Sequence, residues 1–314
     1  MPEALVYSIP LTTRFRGIDV REGMLLRGDA GWGEFSPFLE YDDATAAPWL
    51  AAAREAADEG WPSPLRTRIP VNVTVPACDP ERARAIVLAS NGCRTAKVKV
   101  AEPGQAPGED EARLEAVRDA LGPDGLVRID VNGGWDVDTA VARIPVLDRA
   151  AGGLEYVEQP CPSVEDLARV RRRVSTKIAA DESIRRAEDP YRVRDLDAAD
   201  IAVLKVQPLG GVRACLRIAE DIGLPVVVSS ALETSIGIAA GVALAAALPS
   251  LEHACGLATV QLLASDVVSD PLLPVDGALA VRRPVVLDPL PATAAPDRAA
   301  WWAERQSRAA AISS

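Results

Sequence analysis

From about residue 68 onward the chain alternates short apolar runs with amphipathic stretches at a spacing of roughly twenty to thirty residues, the pattern of repeated βα units. Strand-like runs fall near 69–76, 95–100, 126–132, 154–160, 177–183, 200–208, 225–231 and 251–257. Between them PERARAIVLAS, EDEARLEAVRDALG, DVDTAVARIPVLDRA, VEDLARVRRRV, GVRACLRIAEDIG and TSIGIAAGVALAAALP carry helical periodicity, several opened by Asp, Ser or Thr and closed by Gly. Eight such strands predict an α/β architecture, a TIM-like (β/α) barrel over 68–270 with its first or last unit irregular. Residues 1–67 break the pattern. Alternation in ALVYSIPL and MLLRGDAGWGEFSP predicts an antiparallel meander, and DDATAAPWLAAAREAADEG a helix, together an N-terminal α+β capping domain. The remaining segment, 271–314, is Pro-rich with a strand-like ALAVRRPVVL; it is expected to return to the cap and to end in a loosely packed or disordered tail.

Charge narrows the partners. A net charge of −11 argues against nucleic acid and against anionic membrane surfaces, both of which attract clustered positive charge. MPEALVYSIP lacks a basic segment followed by a long apolar core, and the apolar stretch 236–249 is too short to span a bilayer, so a cytoplasmic protein acting on a small molecule is expected. Five scattered cysteines without a CxxC pair argue against disulfides and a zinc knuckle. A single histidine, His253, excludes chemistry that needs several imidazoles and reads as a satisfied strand-end residue. GWGEFS at 31–36 is not followed by a helical pattern, which removes it as a dinucleotide loop.

Lysine usage points to the chemistry. Four lysines stand among thirty-four Lys and Arg residues, and Lys97, Lys99 and Lys205 lie inside apolar runs. Arginine stays protonated in a protein, whereas a desolvated lysine can lose its proton and act as a base. In a parallel barrel, catalytic groups project from the C-terminal ends of strands, and alternate residues share a face. Lys97 and Lys99 therefore share the inner face of the second strand, and Arg128, Asp130 and Asn132 that of the third. Glu158 closes the fourth strand, Asp181 and Glu182 the fifth, and Lys205 lies on the sixth. Asp130, Glu158 and Asp181 come from consecutive strands and would repel one another at the barrel mouth. A hard divalent cation resolves that conflict better than separate pairing with Lys or Arg, so Mg²⁺ is expected, with Mn²⁺ as a substitute. A carboxylate substrate held there would expose its α-carbon to lysines on both sides, which points to proton abstraction α to a carboxylate.

KVK at 97–99, RIDVNGGW at 128–135, EYVEQP at 155–160, ADES at 180–183 and LKVQPLGG at 204–211 together resemble the muconate-lactonizing branch of the enolase superfamily across nearly the whole chain. Within that branch, TRFRGIDVREGMLLRG at 13–28 and GWGEFSPFLEYDD at 31–43 are similar to the actinobacterial dehydratases of menaquinone biosynthesis. The resemblance implies that Lys99 takes the α-proton and returns it to a departing hydroxyl in a syn elimination of water. It implies that Lys205 stabilises the enediolate from the other side, and that Lys97 favours the neutral form of Lys99 by like-charge repulsion. Asp130, Glu158 and Asp181 would bind Mg²⁺, with Asn132 and Glu182 behind them and Arg128 as an orienting residue. For the substrate's succinyl carboxylate, SSALETSIG at 229–237 puts hydroxyls and backbone N–H groups at a helix mouth, with Ser229 and Ser230 as candidates. Phe15 and Arg16 of the RFRG loop are expected to close over the site.

The same lysines and metal would serve N-succinylamino acid racemisation, dipeptide epimerisation or muconate cycloisomerisation, which the motifs do not separate. A non-catalytic carboxylate-binding or metal-binding barrel is the rival from another class. Every catalytic position being filled argues against it.

Overall fold

The computed structural model describes residues 4–185 and 190–312. The chain opens with β1 (Ala4–Phe15), β2 (Ile18–Gly28) and β3 (Gly31–Phe35), an antiparallel meander in that order. The β1–β2 turn is possible because Arg16 and Gly17 both adopt positive φ, 52° and 75°. Then come α1 (Asp43–Arg54), whose first turn is capped by the Asp42 side chain, and one π-helical turn over Glu55–Glu59.

The next stretch alternates strands and helices: β4 (Arg68–Pro70), β5 (Val73–Val75), α2 (Pro80–Leu88), β6 (Thr95–Lys99), α3 (Pro107–Leu121), β7 (Leu126–Asp130), α4 (Val137–Ala150), β8 (Leu154–Glu158), α5 (Val164–Arg171), β9 (Ile178–Ala180), the short α6 (Glu182–Arg185) and α7 (Arg192–Asp195), β10 (Ile201–Leu204), α8 (Val212–Ile222), β11 (Val226–Val228) and α9 (Ser235–Ala247). Asp79, Asp136, Ser163 and Thr234 cap α2, α4, α5 and α9 with their side chains. Such caps contribute about 1 kcal/mol each. Last are β12 (Ala278–Ala280) and α10 (Pro296–Ile312).

Strands β5 to β11 form one parallel sheet in chain order. Two expectations change at its seam. The run 69–76 divides, with β4 pairing antiparallel to β12 and only β5 joining the barrel. Pro70, without an N–H, stands at the division and accepts from Cys255 N instead. The run 251–257 is not a regular strand: Cys255 and Gly256 make single parallel bridges to Val71 and Ser229, which is how β11 meets the start of the barrel. The approach at Gly256 is close, since a Cβ there would lie 2.7 Å from Ser229 Oγ.

Period-two alternation sorts the strands. Ala96, Val98, Val127, Ile129, Val157, Ile178, Ala180, Ala202, Leu204, Val226 and Val228 face the helices in the main core. The other face fills the barrel: Tyr156, Ala179, Ile201, Val203 and Val227 form an apolar layer. One repeat further along these strands stand Glu158, Asp181, Lys205 and Ser229. The apolar layer is thus the floor on which a charged layer rests.

The C-terminal segment differs from the expected loose tail. Residues 296–312 are helical, with Trp302, Arg305 and Ala309 buried at helical spacing. Trp302 meets Phe35 edge-to-face at 5.9 Å, and the Arg305 guanidinium donates to the carbonyls of Phe38 and Tyr41. Among the described residues no helix is long and apolar enough to cross a membrane.

Candidate active site

A cleft of about 610 Å³ opens where the cap overhangs the C-terminal ends of the barrel strands. Its wall carries Lys97, Lys99, Asp130, Asn132, Glu182 and Lys205 from the barrel. Phe15, Arg16, Phe38, Tyr41 and Trp49 reach it from the cap, and Ser229 and Ser230 from the end of β11. Sequence reasoning therefore named residues that one cavity does bring together.

The charged layer is tightly paired. Lys97 and Arg128 lie in register, as do Lys99 and Asp130, on adjacent strands. Lys97 Nζ is 2.8 Å from Glu158 Oε1 and 3.1 Å from Asp130 Oδ2, and Lys99 Nζ is 2.6 Å from the same Asp130 oxygen. Lys99 also donates to Asn132 Oδ1 at 2.6 Å. Two ammonium groups thus share one carboxylate oxygen. Burial opposes the charge on Lys97, but Glu158 and Asp130 outweigh it and hold its pKa well above the ordinary lysine value. Asp130 is likewise buried, yet Lys99 and Lys97 hold it below the usual carboxylate range. On the other side Lys205 Nζ is 2.6 Å from Asp181 Oδ2. Burial and the nearby Arg185 depress Lys205 despite that partner.

Arg185 is a residue the sequence reading missed. It pairs with Asp181 Oδ1 at 2.8 Å and with Glu182, at i+4 and i+3. The spacing in ADESIR was the available signal, hidden because an exposed i,i+4 pair reads the same way. Gln159 was also missed. It is buried, and its Oε1 accepts from Asp181 N at 3.0 Å and Ser183 N at 3.1 Å, which orients the loop bearing Asp181.

Whether Asp130, Glu158 and Asp181 suit a divalent cation can be judged from their chemistry. The donor set is all carboxylate oxygen, which suits a hard cation. Burial, then Asp130, pushes Glu158 up to about 7, with Asp181 adding to it: three anions crowd one another. A cation would relieve that crowding. Among the described residues no three His, Cys, Asp or Glu side chains are already drawn into a metal cage. Each acid instead holds an ammonium or guanidinium partner.

The chain matches the family model described as enolase N-terminal domain-like over residues 6–57, and that described as enolase C-terminal domain-like over 80–285. It is 67% identical over 305 residues to an o-succinylbenzoate synthase of Thermobifida fusca, covering 97% of this chain and 95% of that one. The chain belongs to the o-succinylbenzoate synthase family of the enolase superfamily. The family's protein from Mycolicibacterium smegmatis is 55% identical over 303 residues, 96% of this chain and 92% of that one. Among solved structures, the fold is that of L-Ala-D/L-Glu epimerase from Bacillus subtilis, with a TM-score of 0.77, 23% identity, and coverage of 94% and 99% of the two chains. It is also that of muconate lactonizing enzyme from Pseudomonas fluorescens, with a TM-score of 0.77, 22% identity, and coverage of 96% and 98%.

In this o-succinylbenzoate synthase family member, three expected roles look different in three dimensions. Arg128 lies below the acids. Its Nε donates to Glu155 at 2.6 Å, and its Nη1 to Asn72 at 3.2 Å and to the Ala254 carbonyl at 2.7 Å, while His253 also engages Glu155, at 2.6 Å. Arg128 therefore braces the barrel floor rather than bonding to any of the three acids. The mouth of α9 is not an open anion site. The cap's own Glu34 accepts from Thr234 N at 3.2 Å and Gly237 N at 3.0 Å. Ser230 Oγ is engaged with Thr259 Oγ1 at 2.8 Å, and Ser229 is buried on the cleft wall. Arg16 is held within the cap by Glu40 at 2.7 Å and Tyr41 Oη at 2.9 Å, its guanidinium 3.8 Å from the Phe38 ring centre. Phe15 reaches furthest, its ring centre 5.9 Å from Lys99 Nζ.

Proposed function

We propose that this cleft carries out the o-succinylbenzoate synthase reaction, dehydrating 2-succinyl-6-hydroxy-2,4-cyclohexadiene-1-carboxylate in menaquinone biosynthesis. The observation that carries the reading is that one cavity holds Lys99, Lys205 and Asp130 beneath an aromatic roof. Lys99, in its neutral form, removes the proton α to the ring carboxylate, and the electron pair of that C–H bond moves into the carboxylate as an enediolate. Lys205, buried on a strand four places away in the sheet, supplies positive charge to that anion. The C–O bond then breaks, the hydroxyl leaves with the proton returned by Lys99, and the ring becomes aromatic. Lys97, pinned by Glu158 and Asp130, keeps a fixed positive charge beside Lys99.

Asp130, Glu158 and Asp181 are the residues that would hold Mg²⁺, or Mn²⁺ in its place, with Asn132 and Glu182 behind them. When bound, the cation lowers the cost of the second negative charge on the substrate carboxylate. Phe15 and the aromatic side chains of the cap would exclude water, and Ser229 and Ser230, both on the cleft wall, would meet a polar substrate arm.

A second reading is favoured by one feature. Burial and Arg185 depress Lys205, which suits a second base and therefore 1,1-proton transfer on an N-succinyl amino acid. Incubating the purified protein and Mg²⁺ with the cyclohexadiene decides between them. Release of o-succinylbenzoate supports the dehydratase reading. No release, together with racemisation of N-succinyl amino acids in ²H₂O, replaces it with the second.

A further inference from the structure

Two glutamates of the cap do not touch the cleft, yet both are buried at 3% and 8% exposure and both reach across to the barrel. Glu34, on β3, accepts through Oε2 from Thr234 N, from Thr234 Oγ1 at 2.5 Å and from Gly237 N. Its Oε1 accepts from Tyr7 Oη at 2.7 Å and Ser36 Oγ at 2.8 Å, which ties it back into the cap. Glu55, after α1, accepts from Val212 N at 2.5 Å and from Arg213 N at 3.0 Å, and pairs with the Arg213 guanidinium at 2.9 Å. Each carboxylate therefore accepts from N–H groups at the start of a barrel helix, α8 for Glu55 and α9 for Glu34, where Thr234 Oγ1 and Asp266 take the neighbouring Ile236 and Ser235 N–H groups. α8 has no side-chain cap of its own, because Gly211 precedes it at φ 122°.

The contacts leave no slack. A Cβ on Gly211 would collide with the Glu55 carboxylate, and one on Gly237 would lie 3.0 Å from Glu34 Oε2 and 2.5 Å from Glu233 Cβ. Arg21 adds a third tie, donating to the Leu232 carbonyl at 2.9 Å and to Ser36 Oγ at 3.0 Å. The anchored helices follow β10 and β11, the strands that lead to Lys205 and Ser229. The roof over the cleft belongs wholly to the anchored cap: Phe15, Arg16, Phe38, Tyr41 and Trp49. The lysines and acids belong wholly to barrel strands and the loops that follow them.

We propose that Glu34 and Glu55 are positioning residues: seated across the interface on the N-termini of α9 and α8, they hold the cap in register so that its roof receives the part of the substrate remote from the reacting carbon. This rests on the dehydratase reading for the identity of the substrate, but not for the mechanical role. A cap displaced by a lost anchor changes how the remote arm is bound while leaving Lys99 and Lys205 in place.

The test uses Glu34→Gln, Glu55→Gln and the double variant, which keep side-chain size but turn an acceptor oxygen into a donor facing N–H groups. Glu34→Asp serves as the conservative control. Circular dichroism and thermal melts establish that each is folded. The expected result is a KM for the cyclohexadiene raised about tenfold in each single variant and further in the double, kcat within about threefold of wild type, and an intermediate KM for Glu34→Asp. Amide exchange should quicken in Glu34→Gln at Thr234 and Gly237, and also in the roof segments 13–17 and 38–41. An unchanged KM with a lowered kcat, or exchange that quickens only at the helix start, overturns the proposal. If the wild-type protein does not convert the diene, the functional reading falls, and the exchange pattern alone decides whether the glutamates hold the roof.

Discussion

Lys99 and Asp130 are direct register partners on β6 and β7, and their side chains meet at 2.6 Å at the strand ends. The same carboxylate oxygen also receives Lys97, 3.1 Å away. An acid proposed for the metal and an amine proposed for proton transfer thus stand in contact, so occupying Asp130 with a cation would remove an ion-pair partner of Lys99.

Replacing Lys99 tests the base. Lys99→Ala should lower kcat by about 10²–10⁴-fold, and Lys99→Arg should be no better, because a guanidinium does not give up its proton at working pH. Steady-state turnover of the cyclohexadiene measures this. Activity within tenfold of wild type in either variant would remove Lys99 from the role.

Lys205 should respond differently to the same pair of changes. Dehydration asks it for charge rather than for proton exchange, so Lys205→Ala should lose about 10²–10³-fold and Lys205→Arg distinctly less. Racemisation of N-succinyl amino acids, where both faces need a base, should be lost equally in the two. Equal losses in dehydration would show that Lys205 also moves a proton there.

Metal dependence should carry a pH signature. Glu158 is pushed up to about 7 by burial and by Asp130, so protons and cation compete for it below that pH. Chelation should abolish turnover and Mg²⁺ restore it. The apparent Mg²⁺ dissociation constant should rise by about tenfold per pH unit below about 7, if one proton is displaced. Titrations of activity with Mg²⁺ at pH 6 and pH 8 test this, and a constant that does not move with pH would contradict it.

Glu233 should make the protein less stable as pH rises. It is 1% exposed, Oε1 has no hydrogen-bond partner among the described residues, and burial and then Glu34 push it up to about 7 from an ordinary 4.5. Between those values the folded chain holds a proton that the unfolded chain has released, so stability falls from about pH 4.5 to about pH 7 and is level above. Glu233→Gln, which retains an oxygen for the Ala231 N–H, should therefore stabilise the protein at pH 8 by on the order of 1–3 kcal/mol, and by little at pH 5. Urea unfolding at the two pH values measures the difference. An equal effect at both would show that Glu233 does not titrate with folding.

Much of the site was legible because strand alternation is local. Lys97 and Lys99, or Arg128 and Asp130, share a face whatever surrounds them, and strand ends in a parallel barrel converge. Arg185 escaped because its pattern, i+3 and i+4 from two acids, is common on exposed helices; only its burial beside Asp181 distinguishes it. In sequence the mouth of α9 looks open, because nothing near 234–237 in the chain reveals that Glu34, 200 residues away, is seated there. The final helix looks like a tail, because Trp302, Arg305 and Ala309 acquire meaning only against the cap.

The sequence by itself determined the βα order, the inward face of each strand and the residue types at the strand ends, since these follow from periodicities of 2 and 3.6 and from the chemistry of each side chain. Tertiary structure alone decided how the ring closes at Cys255 and Gly256, which cation each acid holds, and where the cap's carboxylates sit. Those are contacts between groups far apart in the chain, and their energies depend on burial and distance, which no local pattern encodes.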